Sequence, residues 1–164
     1  MKKIRVDYHF HPNLPTHWPF FKRYLCNIKA RAIWKAFEKN NLDVVLIADH
    51  VYRNPKTQFE ILRSQKPKNA KTIIIPAIEY LTMEGVEIIV FAKHPQYIYS
   101  KKELLKPYSL GIKEFISYVK RDKKLHGIVV HPETPGTTGI SKCGEETMKF
   151  AIKELGFLEV HNCA

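Results

Sequence analysis

At 164 residues, with 45% apolar and 26% charged side chains, the chain is long enough to bury a core and has the balance of an ordinary globular domain. No stretch approaches the roughly 18–20 consecutive apolar residues of a membrane span, and Met1-Lys2-Lys3-Ile4 leads into no long apolar run with a small-residue cleavage site, so neither a membrane segment nor a secretory signal is expected. A formal net charge of +11 favours encounter with anionic partners such as nucleic acid or phosphorylated metabolites, although a solvated lysine-rich face would carry the same charge.

Short apolar runs rich in β-branched residues read as buried strands at 4–9, 44–49, 72–78, 86–91, 127–131 and 157–160. Between them, helical spacing is expected at 28–40, at 55–64 with Pro55 in the first turn, at 111–123, and at 144–155 with Gly156 closing the end. A hairpin is expected at 83–90, before the alternation of strands and helices resumes. Repeated βα units imply a mostly parallel sheet or barrel, and the absence of internal repeats, low-complexity tracts or linkers implies one domain over 1–164. Cys26, Cys143 and Cys163 are odd in number and widely spaced, without a CxxC pair, which points to a reducing, cytoplasmic compartment.

The histidines and carboxylates fall in a pattern. The first strand runs into Asp7-Tyr8-His9-Phe10-His11-Pro12, and period-2 alternation puts His9 and His11 on one face. The second strand ends in Asp49-His50, the third in Glu79, and a later one in His131-Pro132. His17 lies in a loop that would fold back over the first strand end. An isolated HxH is as often two incidental histidines. Four apolar strands, each ending in a metal-type ligand, are not core filling, because parallel βα architectures gather their strand ends at one rim and unpaired polar groups are costly to bury. A site for divalent metal ions is expected there.

Jointly, D-x-H-x-H at Asp7 to His11, the strand-terminal Asp49-His50, Glu79, and His131-Pro132 resemble the polymerase and histidinol phosphatase (PHP) family over essentially the whole chain. The resemblance implies a distorted seven-stranded (β/α) TIM-like barrel of PHP type holding two or three divalent ions; zinc, manganese and iron all suit such donors. It implies that His9 and His11 bind a first metal, that Glu79 bridges it to a second to which His131 contributes, and that His17 and His50 bind a third. Asp7 and Asp49 would orient their neighbours, and Glu79, His131 and Asp49 would carry the catalytic roles. Arg53, just past Asp49-His50, is a candidate phosphate ligand. The further histidine that family members supply to the second metal has two candidates here, Glu87 by position and His94 by residue type.

The family's late D-x-H motif has no counterpart after Asp7 to His9. A complete barrel of this kind needs at least about 200 residues, so the expectation is either a piece of a larger barrel or a member that closes its site differently, with His161 as a substitute ligand or an incidental residue. The implied activity is hydrolysis of a phosphate ester by a metal-bridging hydroxide, on an anionic phosphorylated substrate that is a small molecule or a nucleic-acid end. Two alternatives stand beside it: a PHP-like metal-binding or structural module with little turnover, and a metal-dependent hydrolase of a non-phosphate bond. Nothing in the sequence bears on oligomeric state. Serine or cysteine nucleophile chemistry is disfavoured, since GxSxG is absent and no cysteine flanks an obvious base.

Overall fold

The computed structural model describes residues 3–16, 23–133 and 138–159. In chain order they form β1 (Val6–Phe10), α1 (Arg23–Lys39), β2 (Val44–His50), a 3₁₀ turn (Val51–Arg53), α2 (Pro55–Ser64), β3 (Ile73–Leu81) and β4 (Glu87–Phe91). There follow α3 (Pro95–Ile98), a second 3₁₀ turn (Glu103–Leu105), α4 (Ile112–Arg121), β5 (His126–Val130), α5 (Ile140–Cys143) and α6 (Glu145–Leu155). The local reasons are those legible in the sequence. Asn54 caps α2 by accepting a hydrogen bond from the Thr57 amide, with Pro55 at the first helical position. Gly156, at φ +75°, ends α6 and donates its amide to the Ile152 carbonyl.

The strands pair in the order β1-β2-β3-β4-β5. β1, β2 and β3 are parallel, while β4 returns antiparallel to β3 and pairs antiparallel with β5. The C-terminal ends of β1, β2, β3 and β5 and the N-terminal end of β4 therefore share one rim. After α6 the chain adds a single parallel bridge, Val129 to Leu158, which carries the next residue, Glu159, to the same rim.

Alternation along the strands separates two cores. Val45, Ile47, Ile78, Tyr80, Ile88 and Val129 face the helices and pack with Trp34, Phe37, Phe59, Leu62, Phe115 and Met148. Each large apolar side chain so buried contributes about 1.5–3 kcal/mol. The buried Trp34 also donates its indole N–H to the Leu62 carbonyl at 2.7 Å, tying α1 to α2. On the other face Leu46, Ala48, Ala77, Ile89 and Val130 form a smaller cluster. The register sets Ala48 opposite Ala77, and small side chains on that inner face let the sheet curl.

The expected seven-stranded barrel is not what forms. The described residues build a curled, open sheet of five strands with the helices outside, a half-barrel. Two features explain the difference. The β3–β4 hairpin reverses one strand in the middle of the sheet, and β1 pairs only with β2 among the described residues. Barrel closure requires first and last strands to pair with a consistent stagger, and that condition is not met. No described helix is long and apolar enough to cross a membrane.

Candidate metal centre

The rim is built strand by strand. In β1 the register moves from Asp7 opposite Val45 to Phe10 opposite Ile47, so Tyr8 and His9 together face one residue of β2. Such a bulge re-aims side chains. Phe10 turns outward onto Phe37, with ring centroids 4.9 Å apart, while His9 and His11 turn inward with theirs 4.9 Å apart. The Asp7 carboxylate accepts the His9 amide at 3.1 Å and steadies the bulge.

β2 and β3 are in register at their ends, where His50 stands opposite Glu79. The Glu79 side chain is only 1% exposed, and four imidazoles surround it. Its Oε1 lies 3.2 Å from Nε2 of His9 and 3.2 Å from Nε2 of His131; its Oε2 lies 2.7 Å from Nδ1 of His50 and 3.3 Å from Nε2 of His11. Nε2 of His9 and Nε2 of His11 are themselves 3.0 Å apart. Burial alone would raise the Glu79 carboxyl, but His131, His50 and His9 outweigh it and hold the group well below the ordinary carboxylate range. Conversely, Glu79 and Glu159 hold the His9 imidazole above its usual value against the opposing effect of burial, and Glu79 first of all does the same for His131.

Asp49 is fully buried at the end of β2. Its Oδ1 accepts the amide of His50 at 3.0 Å and lies 3.5 Å from Nδ1 of His11. Glu87, the first residue of β4, pairs with Leu81 on one side and Val130 on the other, which puts it beside His131 on the Glu79 face. Burial and the Glu79 charge raise its carboxyl.

Two overlapping groups could each hold a metal ion. His9, Glu79 and His131 form one, His11, His50 and Glu79 the other, with ligand atoms in each group all within 4.8 Å of one another. Glu79 belongs to both. Within these groups His9 stands with His131, and His11 with His50; His9 and His11, the pair the resemblance assigns to one metal, have their Nε2 atoms 3.0 Å apart. A metal fits the donors in one physical respect. Both Glu79 oxygens, Asp49 Oδ2 and His11 Nδ1 are buried without a hydrogen bond, despite the close nitrogens. Buried carboxylate oxygens that four imidazole nitrogens approach within 2.7–3.3 Å are donors a cation would share.

Of the other expected ligands, His94 is not brought to the site. Phe91, at the end of β4, pairs with Ala77, so the exposed His94 follows at the end of the sheet opposite Glu79. The antiparallel run of β4 is the reason, and it leaves Glu87 as the candidate at the rim. His17 and His161 lie outside the described residues. The Arg53 guanidinium donates to the Asn13 side chain near the rim and is 5.6 Å from the centre of the Tyr52 ring.

The sequence reading missed Glu159. Its carboxylate, 3% exposed, lies 3.0 Å from Nδ1 of His9 through Oε1 and accepts the His131 amide at 3.0 Å through Oε2. The signal was present in the same form as for Glu79, a strand-like apolar run ending in a carboxylate. His131 takes a left-handed backbone at φ +52°, which aims its ring back at Glu79.

No family model matches the chain, and no curated protein matches it. Solved structures share its fold, among them two bacterial proteins. PsfC from Pseudomonas syringae aligns with a TM-score of 0.57 at 11% identity, over 82% of this chain and 57% of that one. A candidate metal-dependent phosphoesterase from Bifidobacterium adolescentis aligns with a TM-score of 0.57 at 13% identity, over 97% of this chain and 78% of that one. This chain thus spans a little over half the length of the first, and at such identities the likeness is one of fold.

Proposed function

We propose that the chain is a metal-dependent phosphoesterase of PHP type. The observation that carries this reading is the Glu79 carboxylate, buried, within 2.7–3.3 Å of four imidazole nitrogens and shared by two triads of potential ligands. The strand-end motifs of the sequence and the fold shared with a candidate phosphoesterase support it. His9 and His131 would hold one divalent ion with Glu79, and His11 and His50 a second; His17 remains the expected ligand of a third. Ions there supply Lewis acidity toward a phosphoryl oxygen and lower the pKa of water toward about 7.

The side chains have separate tasks. Glu79 fixes the spacing of the two triads. Glu159 accepts from Nδ1 of His9, which leaves Nε2 as the ligating atom, and Asp49 lies 3.5 Å from Nδ1 of His11. In the net reaction water adds its oxygen to phosphorus, the ester P–O bond breaks, and the alcohol leaves with a proton. The formal charge of +11 favours capture of an anionic substrate, a small phosphate ester or a nucleic-acid end.

The test is elemental analysis of the purified chain and of Glu79→Gln, followed by a phosphoester screen. Two or more metal equivalents, lost in the variant, with release of inorganic phosphate, are the expected result. The open, five-stranded sheet of the described residues leaves a second reading, a metal-holding module with little turnover. Metal retained without hydrolysis of any phosphate ester would favour that reading instead.

A further inference from the structure

The positive charge of the chain is concentrated. Nine of its 27 lysines and arginines, but only three of its 16 carboxylates, lie between residues 93 and 126, so this segment carries over half of the net charge of +11. Much of it converges where α4 ends and turns into β5, at the end of the sheet away from the rim. Lys101, Arg121, Lys123 and Lys124 line an open groove of about 520 Å³ there, together with Tyr118 and a single carboxylate, Asp122.

The turn is built to hold those cations together. Asp122 accepts from the Tyr97 hydroxyl, from Lys101 Nζ at 2.7 Å and from the Lys124 amide at 3.2 Å. The Tyr97 ring has Lys101 Nζ 4.2 Å and Lys124 Nζ 5.1 Å from its centre. Lys101 thus matches the charge of Asp122, while Arg121, Lys123 and Lys124 meet no carboxylate among the described residues. The negative end of the α4 dipole offers an exposed cation about 1 kcal/mol at most. It accounts for Arg121 in the last turn, not for three lysines gathered around it. A shared anion offsets their mutual repulsion.

A second groove, of about 300 Å³, continues from the first and shares Asp122 and Lys123 with it. Lys120, His126 and Phe157 line this part; Lys120 is paired with Glu154 at 2.7 Å, and Phe157 stands 62% exposed. A track of cations that ends at an exposed ring suits a polymer of regular charge and flat groups better than one phosphate. Unpaired bases stack on such a ring whatever their identity.

We infer that this surface docks single-stranded nucleic acid, with Arg121, Lys123 and Lys124 on its phosphates and Phe157 under a base. It lies on the order of 15 Å from the rim along β5, so the binding is separate from the candidate metal centre and does not depend on the phosphoesterase reading. Where both hold, the substrate is the end of a nucleic-acid strand and not a small ester.

The experiment titrates a fluorescent oligothymidylate without terminal phosphate with the full chain, by anisotropy, over a series of salt concentrations and with chelator present. Each phosphate contact of a single strand adds about 0.7 to the slope of log affinity against log salt, so three cations should give a slope of about −2. Lys123→Ala with Lys124→Ala should reduce that slope by about 1.4. Lys35→Ala with Lys39→Ala removes the same charge from exposed positions of α1 and should leave the slope unchanged. Phe157→Ala should weaken the oligonucleotide by roughly 5- to 150-fold and leave binding of inorganic polyphosphate as it was. A slope near zero, an equal fall in both double variants, or polyphosphate bound as tightly as the oligonucleotide overturns the inference. Binding of phosphatidylserine vesicles in place of the oligonucleotide overturns it too. Oligonucleotide binding with no phosphate ester hydrolysed would leave the surface standing and remove the hydrolase reading; hydrolysis without such binding would do the reverse.

Discussion

The Glu159 carboxylate lies 3.0 Å from Nδ1 of His9, a residue 150 positions earlier in the chain. It also accepts the amide of His131, so one side chain on the bridge beyond α6 steadies the ends of β1 and β5 together. Partners of this kind fix a histidine's tautomer, and their loss typically costs about 10- to 100-fold in metal affinity. Glu159→Ala should show a loss of that size in a competition titration with a chromophoric chelator. Glu159→Gln should lose less, because its amide oxygen still accepts from Nδ1–H. Affinity unchanged in the alanine variant would contradict a positioning role.

Metal should also stabilise the fold. An ion present at a hundred times its dissociation constant adds about 2.7 kcal/mol, or roughly 5–10 °C in Tm for a chain of this size. Thermal melts with and without a chelator should differ by that much in the wild type, and Glu79→Gln should lose most of the difference. An identical rise in the variant would remove Glu79 from the ligand set.

Gly139 supports the segment that carries His131. Its φ is +69°, and an added Cβ would sit 2.6 Å from the His131 carbonyl oxygen and 2.8 Å from that of Pro132. Both obstacles are backbone, so the chain itself must shift. Gly139→Ala should cost about 1–3 kcal/mol in urea unfolding and weaken metal binding as His131 is displaced. A variant with wild-type stability and affinity would show that the segment yields freely.

Away from the site, Asp122 joins α3 to the end of α4. It accepts from Lys101 Nζ at 2.7 Å, from the Tyr97 hydroxyl and from the Lys124 amide. Burial would raise the carboxyl, but these donors prevail and lower it from 3.8 to about 2. A depressed carboxyl stabilises the fold above its unfolded pKa, and that contribution is lost as pH falls through the folded one. Asp122→Asn should therefore melt below the wild type at neutral pH, with the gap closing between about pH 4 and pH 2. A gap that stays constant through that window would show that the carboxylate's charge is not the stabilising feature.

Much of this was legible in the chain itself. The β-branched runs located β1 to β5 to within a few residues, and Pro55, Gly156 and the turn after Leu81 marked helix and hairpin ends. His9, His11, His50, Glu79 and His131 could be singled out because each closes an apolar run, and parallel strands deliver their ends to one rim. Closure of the sheet was not legible. Alternating strands and helices look the same in a closed barrel and in an open curl, since stagger and the pairing of the outermost strands are properties of the whole sheet.

The sequence by itself determined which residues would lie at strand ends, because hydrophobic periodicity is a local property that the backbone must obey. Only the tertiary structure decided which of those ends meet. The antiparallel run of β4 sent His94 away and brought Glu87 to the rim, the bulge in β1 turned the His9 and His11 pair inward to Glu79, and the bridge beyond α6 brought Glu159 to His9. Strand direction, register and long-range pairing set these contacts, and none of the three is encoded in the residues of a single segment.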